Sequence, residues 1–153
     1  MKKIETSIRI EAPPSAVWEQ LMDFESHAQW DPFLVSIEGK AEVGSYLKNT
    51  MQSSGQKQMK FEPEVLVVTP AKEFRWKGKM MVKGLFDGEH YFILNVIEGG
   101  GTELTHGENF TGLLSGVIFN MIGKDTIAGF EAMNKALKTQ VEQKRKEEQY
   151  AGQ

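Results

Sequence analysis

A chain of 153 residues has the length of a single domain, enough to bury one core or to enclose one cavity. Its 18 Lys and Arg against 21 Asp and Glu give a formal net charge of -3, so it has no basic field for a phosphate backbone, and no nucleic-acid partner is expected. There is no cysteine, which excludes disulfides, thiolate metal sites and cysteine nucleophiles and suits a reducing compartment.

The N-terminal "MKKIETSIRIEAPP" has a basic start but only isolated apolar residues, and nowhere do 18 apolar residues run together. No signal peptide or transmembrane segment is expected, and cytoplasm is the expected compartment. Ile4, Thr6, Ile8, Ile10 and Ala12 alternate at the period of a strand with one buried face. Pro13 and Pro14 end that strand and suit the first turn of a helix, where a missing N–H costs nothing. Val17, Trp18, Leu21 and Met22 follow at helical spacing, and a short second helix over "ESHAQW" must end by Trp30 or Asp31, because the residue before Pro32 is pushed out of helical space.

Six extended segments follow: "LVSIEG", "GSYLKNTMQ", "MKFEPEVLVV", "EFRWKGKMMV", "GEHYFILNVIE" and "TELTHGENFTG". With the first strand they make seven. In the fourth segment Arg75, Lys77 and Lys79 form a basic face that reads as the guard of an edge strand. Beyond residue 112, Phe119, Ile122, Thr126, Phe130, Met133, Leu137 and Val141 recur three or four apart, the stripe of one long amphipathic helix with a break expected at Gly123. The tail from about residue 148 reads as flexible. The architecture is therefore α+β: a curved seven-stranded antiparallel sheet wrapped around a long C-terminal helix, with two short helices between strands 1 and 2, in one domain over 1–153. A twisted sheet touches a straight helix well at its ends and poorly in the middle, so a cavity of a few hundred Å3 is expected between them.

The last hairpin carries the ionisable candidates. With its loop centred on Gly100, Leu94 lies opposite His106, Phe92 opposite Glu108 and His90 opposite Phe110, all on one mainly apolar face. Three readings stay open for His90, His106 and Glu108: groups that satisfy each other inside the sheet, groups that hold the polar end of an apolar guest, or an acid/base pair. No metal or other cofactor is expected, because strand positions two apart lack a metal-ligand spacing. Glycines stand in no phosphate-loop pattern, and Ser15 and Ser115 in no nucleophile elbow. Eight methionines, Met80 and Met81 among them, suit an adaptable wall or ordinary gap-filling.

The stretches "APPSAVWEQLMDFESHAQWDPF", "GEHYFILNV" and "TELTHGENFTGLL", with Pro13-x-x-x-Val17-Trp18, Trp30-x-Pro32-Phe33 and Glu108-x-Phe110-x-Gly112, resemble the START-like helix-grip (SRPBCC) superfamily and its bacterial polyketide cyclase/dehydrase-like branch. The resemblance implies a helix-grip fold and a hydrophobic pocket, in a superfamily that includes lipid carriers, hormone binders, cyclases and chaperone cofactors. The leading expectation is non-catalytic binding of a small hydrophobic or amphipathic molecule by a monomer or homodimer, with no catalytic residue. Its expected walls are Phe61, Val65, Trp76, Met80, His90, Phe92 and Leu94 from the sheet, with His106 and Glu108. The helix would add Phe119, Phe130 and Met133, and Trp30 and Phe33 would guard the entrance. The alternatives are a cyclase-, dehydratase- or hydrolase-like enzyme using His90, His106 and Glu108, and a protein-docking module.

Overall fold

The computed structural model describes residues 1–52, 58–80, 84 and 86–152, and for Met80 the backbone alone. The chain opens with β1 (Lys2–Ile10), then α1 (Pro14–Met22), a 3-10 turn (Phe24–Ser26) and α2 (His27–Trp30). Strands β2 (Leu34–Glu38), β3 (Lys48–Met51), β4 (Met59–Phe61), β5 (Glu64–Thr69), β6 (Glu73–Met80), β7 (Phe86–Val96) and β8 (Thr102–Thr111) follow, and α3 (Ser115–Ala151) closes the fold. The α+β helix-grip architecture expected from the sequence is present.

Its sheet differs in detail. The described residues form eight strands in two antiparallel groups, β1-β8-β7-β6-β5 and β2-β3-β4. The extra strand comes from "MKFEPEVLVV": Pro63 has no N–H for a ladder, so pairing stops after Phe61 and resumes at Glu64 with a different partner. The basic strand β6 is interior, between β5 and β7. Its Arg75 guards no edge; the guanidinium donates to Glu73 and Glu89 at 3.1 and 3.0 Å and lies over the Tyr91 ring.

Helix α3 lies against β1, β8 and α1 and buries Thr126, Phe130, Met133, Leu137 and Val141 on one face. It runs unbroken through Gly123 and on to Ala151. A glycine inside a helix costs only about 1 kcal/mol, which packing of the flanking turns offsets. Gly129 serves close approach instead, for a Cβ there would collide with the Phe33 ring. No helix among the described residues is long and apolar enough to cross a membrane.

The corner "HAQWDPFL" is built on a buried polar pair. His27 and Asp31 stand four apart, one helical turn, and both side chains are fully buried. The ring donates from Nε2 to the Leu21 carbonyl at 2.7 Å, and its Nδ1 shares a hydrogen bond with Asp31 Oδ2 at 2.9 Å. Asp31 Oδ1 accepts the N–H groups of Phe33 and Leu34 at 2.9 and 3.0 Å. This carboxylate ties α1, α2 and the start of β2 together.

Candidate functional site

The β7–β8 hairpin turns at Ile97–Gly101, with Gly99 and Gly100 at positive φ. Its pairing is offset by two residues from the expected one: His90 lies opposite Glu108, Phe92 opposite His106 and Leu94 opposite Leu104. A shift of two keeps every side chain on its face, so the three ionisable residues still share the inner side. What changes is who touches whom. His90 Nε2 and His106 Nε2 are 2.7 Å apart, His106 Nδ1 lies 2.8 Å from Asn134 Oδ1, and His90 Nδ1 lies 3.6 Å from Glu108 Oε1. The last distance is longer than a formed hydrogen bond.

Burial sets the protonation of this group. The low-dielectric interior disfavours charge, and it pushes the His90 imidazole down to about 3 and the Glu108 carboxyl up to about 8. His106 is driven well below the usual imidazole range by burial first and by His90 second. At neutral pH both rings are uncharged and Glu108 is largely a carboxylic acid. A fifth of the Glu108 side-chain surface remains accessible.

That carboxyl stands on the wall of a cavity of about 60 Å3 beneath the N-terminal half of α3. Of the expected wall residues, Phe33, Phe61, Trp76, His90 and Glu108 line it. Met51 and Met59, two of the methionines suited to an adaptable wall, line it too, and the sequence did not single out the remaining wall residues: Leu34 from the smaller sheet, Gly78 and Lys79 from β6, Phe86, Gly88 and Phe110 from the hairpin, and Ile122 and Thr126 from α3. Alternation along β7 and β8 puts Gly88 and Phe110 on the face of His90 and Glu108, and helical spacing puts Ile122 and Thr126 on the stripe. Gly88 is there for room: a Cβ would land on the Glu108 carboxyl.

The cavity falls short of the few hundred Å3 expected, because rings fill the middle of the sheet–helix space. Phe130 stacks on His106 with centroids 4.1 Å apart, His106 on Phe92 at 4.4 Å, and His90 on Trp76 at 4.7 Å. Val65, Phe92, Leu94, Phe130 and Met133 are core residues away from the cavity wall, as is His106. Phe119 packs edge-on against Phe110. Trp30 does not stand at the cavity mouth. Its ring packs on His27 and its Nε1 donates to Ser26 Oγ at 3.0 Å, on a shallow crevice shared with Gln140 and Gln143 of α3. The side chain of Met80 and all of Met81 lie outside the described residues. No cluster of metal-ligating side chains occurs among the described residues.

Residues 1–142 match the family model described as polyketide cyclase/dehydrase and lipid transport. Solved structures with the same fold include the Zhui aromatase/cyclase from Streptomyces sp. R1128, with a TM-score of 0.73 and 15% identity over 92% of this chain and 93% of that one. A protein from Chromobacterium violaceum gives a TM-score of 0.72 and 20% identity over 93% and 99%. A protein from Thermus thermophilus gives 0.71 and 19% over 92% and 97%. At such identities the likeness is one of fold. A search of curated proteins gave no match.

Proposed function

The chain belongs to the polyketide cyclase/dehydrase and lipid transport family, and on that footing we propose that it binds a small, mainly apolar molecule bearing one carbonyl or hydroxyl oxygen, with that oxygen meeting Glu108. One observation carries the reading: a carboxyl pushed up to about 8 by burial stands on a wall otherwise made mainly of rings, methionines and isoleucine. A neutral carboxyl donates to a carbonyl and accepts from a hydroxyl, whereas an anion in the same place would repel a carbonyl's lone pairs and sit badly against bare hydrocarbon. Entry of such a guest needs the cavity to widen. Met51 and Met59, unbranched and easily re-rotated, are the wall residues best able to yield.

A second reading rests on the same group. An acid whose proton leaves near pH 8 is well matched to giving up and regaining a proton at neutral pH. It could protonate a leaving hydroxyl as the C–O bond breaks and water departs, and the carboxylate so formed could take the proton from the neighbouring carbon as the double bond forms, which restores the acid and completes a dehydration. Glu108→Gln separates the two. Under the binding reading it keeps shape and hydrogen bonding, and affinity for the co-purified guest, identified by native mass spectrometry, changes by about 1 kcal/mol. Conversion of that guest by wild-type protein, lost by roughly 100-fold or more in Glu108→Gln with binding intact, would replace the binding reading by the catalytic one.

A further inference from the structure

The hydrogen bonds behind Glu108 run in one direction only, and their direction is dictated from a backbone carbonyl. Thr6 Oγ1 lies 2.9 Å from the carbonyl oxygen of His106, which cannot donate, so the single hydroxyl proton of Thr6 is spent there. Asn134 Nδ2, 2.9 Å from Thr6 Oγ1, therefore donates to it, and this fixes which end of the Asn134 amide is which. The amide oxygen is left facing His106 Nδ1 at 2.8 Å, so that nitrogen carries the proton. Since the buried His106 ring is neutral, its Nε2 is bare and accepts from His90 Nε2 across 2.7 Å. His90, also neutral, then has a bare Nδ1, and this is the ring atom beside Glu108 Oε1, 3.6 Å away. Each step is forced by the one before it.

We propose that Asn134, oriented by Thr6, is a positioning residue that fixes His106 as the Nδ1–H tautomer and His90 as the Nε2–H tautomer, and thereby presents Glu108 to the cavity as the proton-bearing partner. The inference deepens the binding reading above and rests on it only for its use, since the proton pattern exists without a guest. The chain is an anchor and not a conduit. It ends on an amide and a backbone carbonyl, neither of which hands protons on, so the one exchangeable proton is that of Glu108, at the cavity end. Lining the same cavity are His90 from β7, Lys79 from β6 and the uncharged Ile122 and Thr126 from α3. Opposite Glu108 on β1 stands Ile4. The ring stacking of His106 between Phe92 and Phe130 holds its plane and leaves the tautomer as its remaining freedom.

The test is the tautomeric state of full-length protein labelled with 15N-histidine near pH 7, with the protonated-carboxyl infrared band of Glu108 assigned by its loss in Glu108→Gln. Wild type is expected to show His106 protonated at Nδ1, His90 at Nε2 and the acid band present. In Asn134→Leu, similar in size but with no acceptor, His106 Nδ1–H would be an unpaired buried donor. The chain is expected to reverse, with His106 protonated at Nε2 and His90 at Nδ1 and now donating to Glu108. The midpoint of the acid band should then fall by about one pH unit or more. Opposite tautomers in wild type, which needs no variant to fold, would overturn the proposal. Unchanged tautomers and band in Asn134→Leu would also overturn it, leaving Asn134 a packing residue. Failure of the binding reading is seen separately, as absence of guest uptake with the tautomers as assigned.

Discussion

Replacing Asp31 by alanine is expected to destabilise the protein by about 3–5 kcal/mol, because it leaves three buried hydrogen-bonding groups without a partner, each at a cost of about 1–3 kcal/mol. The Asp31 carboxyl partners three buried groups, His27 Nδ1 and the N–H groups of Phe33 and Leu34, none of which reaches water. Alanine leaves all three unpaired. Asp31→Asn should cost less, because its amide oxygen still accepts from the backbone and its amide N–H can donate to the bare Nδ1 of a neutral His27. Urea denaturation of the two variants checks the ranking. A loss under about 1 kcal/mol for Asp31→Ala, the worth of a single ordinary hydrogen bond, would show that the corner is held by the packing of Phe33, Leu34 and Trp30 instead.

Stability is expected to peak near pH 6.5, with its two limbs controlled by different residues. Folding keeps His90 and His106 neutral, whereas the unfolded chain protonates both below about 6.5, so their contribution is lost as pH falls from 6.5 toward 3. Glu108 works the other way: its folded value near 8 lies above the ordinary 4.5, so its contribution is full below 4.5 and is lost as pH rises to about 8. At about pH 6.5 two half-protonated unfolded histidines balance the one proton retained by folded Glu108. From there to pH 4.5 these groups cost wild type about 2 kcal/mol, and from 6.5 to 8 about 1 kcal/mol. In Glu108→Gln the acid limb should roughly double in depth and the alkaline limb should change sign. Denaturant midpoints of both proteins across pH 4.5 to 8 give the comparison. An alkaline limb identical in the two would mean that Glu108 is ionised at neutral pH.

The order of elements was legible because each carries its period in its own residues: alternation from Ile4 to Ile10, and the three-and-four spacing from Thr126 to Val141. Neighbours in the sheet were not, since nothing in "EFRWKGKM" tells an interior basic strand from an edge one. The charge of Arg75 is matched by Glu73 and Glu89, the second fourteen residues away. Three consecutive glycines let the hairpin turn centre on either of two places, and that ambiguity misplaced the partners of His90 and His106 while preserving their face. Asn134 left a trace that could have been followed: a polar residue between Met133 and Leu137 inside an apolar stripe needs a buried partner. His27 and Asp31 likewise stand at helical spacing, but their burial depends on packing against β2 and α3 that local sequence does not encode. The cavity is smaller than sheet twist alone implies, because the rings stacked on His90 and His106 occupy the space that twist opens.

The claim on which the rest depends is that the space beside Glu108 admits an apolar guest. Titration of a neutral amino-anthracene fluorophore into wild type and Ile122→Trp, with the denaturation midpoint measured on the same samples, tests it most directly. Ile122 lines the cavity from α3 and is only half-buried, so a larger ring there fills the space without entering the packed core. The account predicts saturable one-to-one binding to wild type, weakened in Ile122→Trp by at least tenfold, or about 1.4 kcal/mol, at unchanged stability. No saturable binding to wild type, or equal affinity in the two proteins, would contradict it.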